Sequence, residues 1–405
     1  MRVVQINGSY GMADSTGRNT AELHQYLLEQ GVDSWVFAFK QSGDASECRQ
    51  VEILGEPFSR PTHALLSRLT GLQGYYSAGP TRRLLRKLDF LRPELVVLGV
   101  LHSNCISFPI LMNYLAKKKI AVVLVLHDCW FFTGHCCHYT AAGCSRWETG
   151  CGHCPARREW NTSWFFDRSV RCLKDKRCWY AALDRLAVVG VSEWITNEAR
   201  RSILKNAVEI RRIYNWVDTK RFRPRDPAPL RQKLGLGEEK MVLGVASVWS
   251  EGKGLGMFIR IAREHPDMVF VLVGRMAEGI PLPPNLRAVG LVKDPEALAE
   301  YYAAADLFAN PSVQETFGKT TAEALASGTP VLVYNTTACP ELVGEGCGRV
   351  APLGDEAAFS AAIPELLAQG KEKYGPVCRA FALERFGREK SLAEYLDLFR
   401  AMARG

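Results

Sequence analysis

No apolar run in the sequence approaches the ~20 residues that a membrane-spanning helix needs. The longest covers residues 120–126 and stops at His127 and Asp128. The first residues lack the basic region, apolar stretch and small-residue cleavage site of a secretory signal, so the expected location is the cytoplasm. No repeat of fixed period is present. Gly (34) and Pro (20) stay well below a low-complexity composition, which excludes a fibre or a disordered tail. Without a secretory context, thirteen cysteines point to thiols or metal rather than to a disulfide framework. Acidic charge is scarce in one half only. The net charge is +8, and by the residues printed the first 220 sum to +9 and the remainder to −1. A basic first half suits anionic lipid headgroups, a pyrophosphate-bearing substrate or nucleic acid, or is simply a solvated face.

At 405 residues, with 47% hydrophobic and 23% charged, the chain is globular and long enough for two or three domains. Short apolar runs alternate with amphipathic segments, the pattern of parallel strands flanked by helices. Strands are expected at residues 3–6, 35–39, 95–100 and 120–126, with helices at about 19–29 and 107–117. A polar, proline-rich stretch near 221–229 reads as a linker. Beyond it, strands are expected at 241–246, 268–273, 307–309 and 330–334, with helices near 255–264, 295–304 and 319–326. A final amphipathic helix at about 390–402 suits either domain. The resulting fold class is α/β, two Rossmann-like doubly wound domains facing a cleft. The division is 1–222, 223–385 and a C-terminal helix 386–405, with a cysteine-rich insertion at about 129–160. Ligands of such folds sit at the carboxyl ends of the strands.

The most informative stretch runs from Pro311 to Pro330, following one strand and opening a helix that should end at Gly328. Glu315 precedes the helix and Glu323 lies within it, so both can converge on one ligand. Gly318 lets backbone approach closely, and the unpaired N–H groups of the first helical turn favour a diphosphate. Two carboxylates beside an anion site are acceptors for sugar hydroxyls. Lys253, between Gly252 and Gly254, and Arg275, after Gly274, are cations at neighbouring strand ends. His127 comes directly off a strand, and His102 follows another. A glycine-rich turn spans residues 11–17.

These residues resemble retaining glycosyltransferases of the two-Rossmann-domain GT-B kind, in the family marked by Glu, seven residues, Glu. Glu315 and Glu323 supply that pair, within a Pro-Ser…Glu-x-Phe-Gly…Glu-Ala-x-Ala-x-Gly-x-Pro-Val setting met by Pro311 through Val331. The resemblance implies a nucleotide diphosphate sugar as donor, with Glu315 on the sugar, Glu323 on the ribose hydroxyls and backbone around Phe317, Gly318 and Lys319 on the diphosphate. It further implies Lys253 as the diphosphate cation and His127 on the donor sugar. The loop ending at Gly17 would lie beside the phosphates, and no catalytic divalent metal would take part. The Arg that the family places five or six residues before its Lys is absent, since Ser247 and Val248 stand there, and Arg275 is the expected substitute. Asn215-Trp216-Val217-Asp218 is similar to the family's Asn-Gly-Val-Asp. The expected activity is transfer of a hexose to a glycan acceptor, lipid-linked, in cell-surface polysaccharide assembly, with the basic first half then expected as a peripheral contact on the anionic inner face of a membrane.

The insertion is similar to a subgroup of capsule, exopolysaccharide and lipopolysaccharide enzymes. Cys136, Cys144, Cys151 and Cys154 offer four soft ligands with one tight pair, adequate for a structural tetrahedral Zn²⁺; free thiols and disulfides are the alternatives. Trp130, Trp147, Trp160 and Trp164 suit either sugar stacking or core filling. Two other functions fit parts of the pattern. One is a nucleotide-sugar 2-epimerase of the same fold. The other is a zinc-stabilised nucleic-acid-binding protein, against which stand the paired carboxylates and the absence of an aromatic-basic recognition motif.

Overall fold

The computed structural model describes residues 1–12, 14–43 and 49–404. They form two compact units: Met1–Ile213 together with the segment from Leu392 onward, and Tyr214–Ser391.

The first unit is built on seven parallel strands: β1 (Arg2–Asn7), β2 (Asp33–Ala38), β3 (Val51–Ile53), β4 (Leu95–Leu98), β5 (Ala121–Leu126), β6 (Leu186–Gly190) and β7 (Glu209–Arg212). Their spatial order is β3-β2-β1-β4-β5-β6-β7. β4 and β5 are apolar and buried at every position, as strands covered by helices on both faces must be. β7 carries Glu209, Arg211 and Arg212 and is half-buried throughout, which suits an edge. The second unit holds β8 (Met241–Val248), β9 (Val269–Arg275), β10 (Leu286–Gly290), β11 (Leu307–Asn310), β12 (Val331–Tyr334) and β13 (Gly348–Ala351), again all parallel, in the order β10-β9-β8-β11-β12-β13. Two doubly wound α/β domains are therefore present.

The first unit ends at Ile213, nine residues ahead of the boundary expected from the proline-rich linker, because the residues that follow bind into the second unit. The Tyr214 ring lies 5.4 Å from that of Phe386, the Val217 N–H donates to Phe386 O at 2.9 Å, and Arg379 donates to the carbonyls of Phe222 and Thr219. At the other end, the Arg388–Arg404 helix buries Leu392, Tyr395, Leu396, Phe399 and Met402 along one stripe. Arg185 of the first unit donates to Met402 O at 2.8 Å. No helix among the described residues is long and apolar enough to cross a membrane.

Because Phe399 is fully buried, Phe399→Ala is expected to cost about 3–5 kcal/mol. Urea unfolding of the full chain would show this as a lowered midpoint for the first unit.

Candidate functional site

In each sheet the strand order reverses once, between β1 and β4 and between β8 and β11. Loops leaving such neighbours diverge and open a crevice at their carboxyl ends. The second unit places its chemistry there. After β8, the turn Glu251–Lys253 closes at Gly254, whose φ of 77° and close approach to Pro311 both require glycine; a Cβ would stand 2.4 Å from the proline Cγ. The loop after β11 is thereby pressed against it, and Val313 N–H donates to Gly252 O at 3.2 Å. Lys253 Nζ then reaches Glu315 Oε1 at 2.5 Å and Ser312 Oγ at 3.2 Å. Lys253 is 38% exposed and Glu315 19%, so the pair is open to a ligand.

Glu315 is fixed through its backbone: its N–H donates to Thr337 Oγ1 at 2.8 Å, and Thr337 itself holds a φ of 46°. Gly318, at φ 90°, ends this loop and starts the Lys319–Ala326 helix without a side-chain cap. The first N–H groups of that helix, Lys319 among them, thus carry the positive end of its dipole beside Lys253 and Glu315. Arg275 lies at the end of β9, exposed and in no ion pair among the described residues; its carbonyl accepts from Trp249 N–H at 2.8 Å. Gly274 before it is obligate, since a Cβ would lie 1.9 Å from Ala246 O.

Two of the expected site residues have buried side chains. Glu323 is buried in the Lys319–Ala326 helix, where its Oε2 accepts from the Tyr302 hydroxyl at 3.0 Å. Phe317 is 3% exposed and packs on Tyr214 and Phe386, so the ring is core and only its backbone borders the loop. Sequence reasoning missed Ser312 and Thr337. The hydroxyl of Ser312, in the Asn-Pro-Ser run after β11, was a readable signal; Thr337 was not.

In the first unit, Asn7 at the end of β1 ties the loops of the reversal together. Its Oδ1 accepts from Val100 N–H at 2.7 Å and its Nδ2 donates to Ser9 O and Thr20 Oγ1. The glycine-rich turn leads into the first helix. The helix begins at Ser15, and the Gly17 N–H donates to the Asp14 carboxylate at 2.7 Å, an N-cap that fixes the end of the turn. Ala13, within that turn, lies outside the described residues. His127 follows β5 directly and is half-buried.

The adjacent Asp128 pairs with His102, Oδ2 to Nε2, at 2.7 Å, and its Oδ1 accepts from Trp130 N–H at 2.8 Å. Burial pulls His102 toward its neutral form, but the Asp128 carboxylate, with Cys137 beside it, outweighs burial and raises it well above its usual value. For Asp128 burial pushes up, and His102 with the backbone bond pulls down to about 2. Cys137 completes the cluster: among the described residues only His102, Asp128 and Cys137 bring three metal-ligating atoms within 4.8 Å of one another.

Cys136, Cys144, Cys151 and Cys154 accordingly do not close into a tetrahedral set. Cys136 and Cys154 share a thiol hydrogen bond that keeps the proton on Cys136 and draws Cys154 toward thiolate, while Cys151 Sγ accepts from Gly134 N–H at 3.4 Å. Trp130 is buried against Phe108 and Trp147 against Phe132 and Tyr139, whereas Trp160 and Trp164 are exposed. A cavity of about 590 Å³ opens at the ends of β2 and β4, lined by Phe39, Glu56, Arg60, Pro61, Ser103 and Asn104 among others.

Comparison with known proteins places both halves. A profile described as Glycosyltransferase Family 4 matches residues 16–221, about half of the chain, and one described as Glycosyl transferases group 1 matches residues 239–369. The alpha-galactosylglucosyldiacylglycerol synthase of Streptococcus pneumoniae is 29% identical over 212 residues, 47% of this chain and 54% of that protein. The chain spans 39% to 61% of the length of the curated relatives it matches. Sucrose-phosphate synthase from Thermosynechococcus elongatus superposes with a TM-score of 0.72 at 18% identity, covering 99% of this chain and 98% of that one. Anabaena Alr3699/HepE, solved in complex with UDP, gives 0.70 at 16%, covering 99% and 100%. At these identities the two structures establish the fold alone.

Asp128→Asn should leave His102 neutral at pH 7, whereas wild-type His102 stays protonated there. Imidazole NMR titration reads this directly. The pair's stability is present between the ordinary carboxylate range and the His102 value. It is lost as pH falls toward 2 through Asp128, or rises through His102. Removing one partner should cost about 3–5 kcal/mol.

Proposed function

The chain belongs to glycosyltransferase family 4, and we propose that it is a retaining hexosyltransferase moving a sugar from a nucleoside diphosphate donor to a glycan acceptor, lipid-linked, in cell-surface polysaccharide assembly. The observation that carries this reading is the Lys253–Glu315 pair at the β8/β11 reversal, beside an uncapped helix start. An ammonium and a helix dipole favour the diphosphate, and a carboxylate accepts hydroxyls of the sugar. The arriving diphosphate would share Lys253 with Glu315, freeing the carboxylate for the hexose. The UDP complex of the Anabaena neighbour supports a nucleotide donor.

Negative charge grows on the leaving diphosphate as the glycosidic bond breaks, and Lys253, Arg275 and the N–H groups after Gly318 would stabilise it. Retention would follow if the donor's own phosphate oxygen takes the acceptor proton, which leaves this chain positioning and charge stabilisation, with no catalytic divalent metal. His127 is proposed on the donor sugar. Glu323 serves the ribose only by sharing its carboxylate with Tyr302. For the acceptor, the cavity at the ends of β2 and β4 offers the Arg60 guanidinium to a pyrophosphate group. The diacylglycerol-based name of the pneumococcal relative supports a lipid-linked acceptor. A structural zinc in the insertion is likewise proposed on the Cys136–Cys154 contact; it requires Cys144 and Cys151 to move inward.

A thermal-shift screen against UDP, GDP, ADP and their sugar conjugates tests the donor site. One nucleotide at 100 times its Kd should stabilise by ~2.7 kcal/mol, and Lys253→Ala and Glu315→Ala should abolish transfer with the fold intact. No shift with any nucleotide, or full activity in both variants, would remove the proposed site. For the insertion, metal analysis should find about one zinc per chain; occupancy under a tenth with all thiols titratable ends the zinc proposal.

A further inference from the structure

We propose that the outward face of the Ser59–Thr70 helix, with the aromatic segment 164–166 beside it, docks on an anionic phospholipid bilayer. The helix is amphipathic in the inverse sense. Its fully buried residues are polar, His63 and Ser67. The His63 Nδ1 bonds Ser77 Oγ at 2.8 Å, its Nε2 accepts from Gly74 N–H at 3.2 Å, and burial lowers its pKa to about 4, so it sits inside as a neutral structural ring. The residues turned outward are apolar: Phe58 just before the helix is 83% exposed, Leu65 48% and Leu69 36%. Spacings of seven and four place the three on one stripe.

The stripe continues into the insertion. Trp164 N–H donates to Arg68 O at 2.8 Å, and the Arg68 guanidinium lies 5.9 Å from the Trp164 ring. Gly71, which ends the helix, packs against Phe166 O and the Arg168 side chain. Trp164, Phe165 and Phe166 follow one another in ring contact and are 43%, 64% and 50% exposed. Six large apolar side chains thus share one surface, where a globular protein ordinarily presents scattered ones.

Charge identifies the occupant. Residues 57–88 contain no Asp or Glu; within them Arg68 borders the stripe, Arg82 and Arg86 are exposed, and Arg83 and Lys87 pair with Glu56 and Glu52 at 3.0 Å. Arg168 stands over the Phe166 ring at 5.2 Å, and the carboxylate between them in sequence, Asp167, is turned to the backbone N–H groups of Cys154 and Ser169. Aromatic and aliphatic side chains rimmed by guanidinium groups match the boundary between headgroups and acyl chains of an anionic leaflet. The inference does not require the transfer reading, and its test reads no activity.

The purified full chain should cosediment with phosphatidylglycerol-containing vesicles, less so as salt rises, and weakly with phosphatidylcholine alone. Phe165→Ser with Phe166→Ser should lower partition into anionic vesicles by about tenfold or more. Leu65→Gln with Leu69→Gln on the helix should act likewise, and Arg68→Glu with Arg168→Glu should erase the preference for anionic lipid. All six positions are exposed on their elements, and matched melting curves would show each fold intact. Equal partition into both vesicle types, unchanged binding by the apolar variants, or concentration-dependent self-association that these variants abolish would overturn the proposal, the last by assigning the face to a second copy of the chain.

Discussion

Strand-order reversal is the constraint on which the rest depends. A right-handed crossover places its helix on the face set by the direction in which the chain moves along the sheet. At β8 the chain steps one way to β9, and at β11 the other way to β12. The loops leaving these two neighbours part company, and the space between them is open without any side chain having been removed from a core. Lys253 and Glu315 occupy the lips of that opening, and the close seat of Gly254 on Pro311 sets how near they come. A larger residue at 254 would separate the lips before it touched either charge.

On the proposed reading, the Lys253–Glu315 pair holds the place of a ligand. Exposed pairs contribute little to stability, and Lys253 is exposed enough for its charge to be screened. The pair holds two long side chains in the geometry that a donor would exploit, with Ser312 and Thr337 fixing the ammonium and the Glu315 backbone. His102 and Asp128 are a different case. They are more buried, each strongly shifts the other, and the carboxylate also caps the backbone at Trp130. That pair sets the shape of the turn following His127, and breaking it should disturb the histidine that stands next to it in the chain.

How much of this was legible in the sequence follows from which residues act through identity and which through place. The central strands were readable because two-sided burial demands unbroken apolar runs, as at β4, β5 and β9. The edges were not: β3 is three residues long and β7 reads Glu-Ile-Arg-Arg, which satisfies no strand pattern. Glu315, Gly318 and Lys253 could be singled out because their spacing is a signature, and the structure brings them together at the β8/β11 reversal. The Asp14 cap on Gly17 was not legible, because a glycine near a helix start looks alike with or without a capping carboxylate. The attachment of Tyr214 to the second unit rests on aromatic packing against Phe386, some 170 residues away, which no local window can show.

The insertion shows why a staple and a core are not interchangeable readings. A short cysteine-rich loop was expected to need metal for its fold, yet its base has a core of its own. Phe132, Tyr139 and Trp147 are buried together, and Trp130 is buried against Phe108 and Phe131. Lys176, wholly buried and brought down to about 8 by desolvation, donates to the carbonyls of Trp130 and Thr133 with its ammonium 3.7 Å from the Trp130 ring. Tyr180 donates to Phe131 O at 2.8 Å. A cation that gives its protons to two carbonyls and its charge to an indole face does at residues 130–133 what a bound ion would otherwise have to do. The work left for the cysteines is at the lobe from Cys144 to Cys154 and its contact with Cys136, where Gly143, Cys151, Gly152 and His153 all take left-handed backbone around the single anchor Trp147. Metal there would order a lobe, whereas the base of the insertion would keep its shape without it.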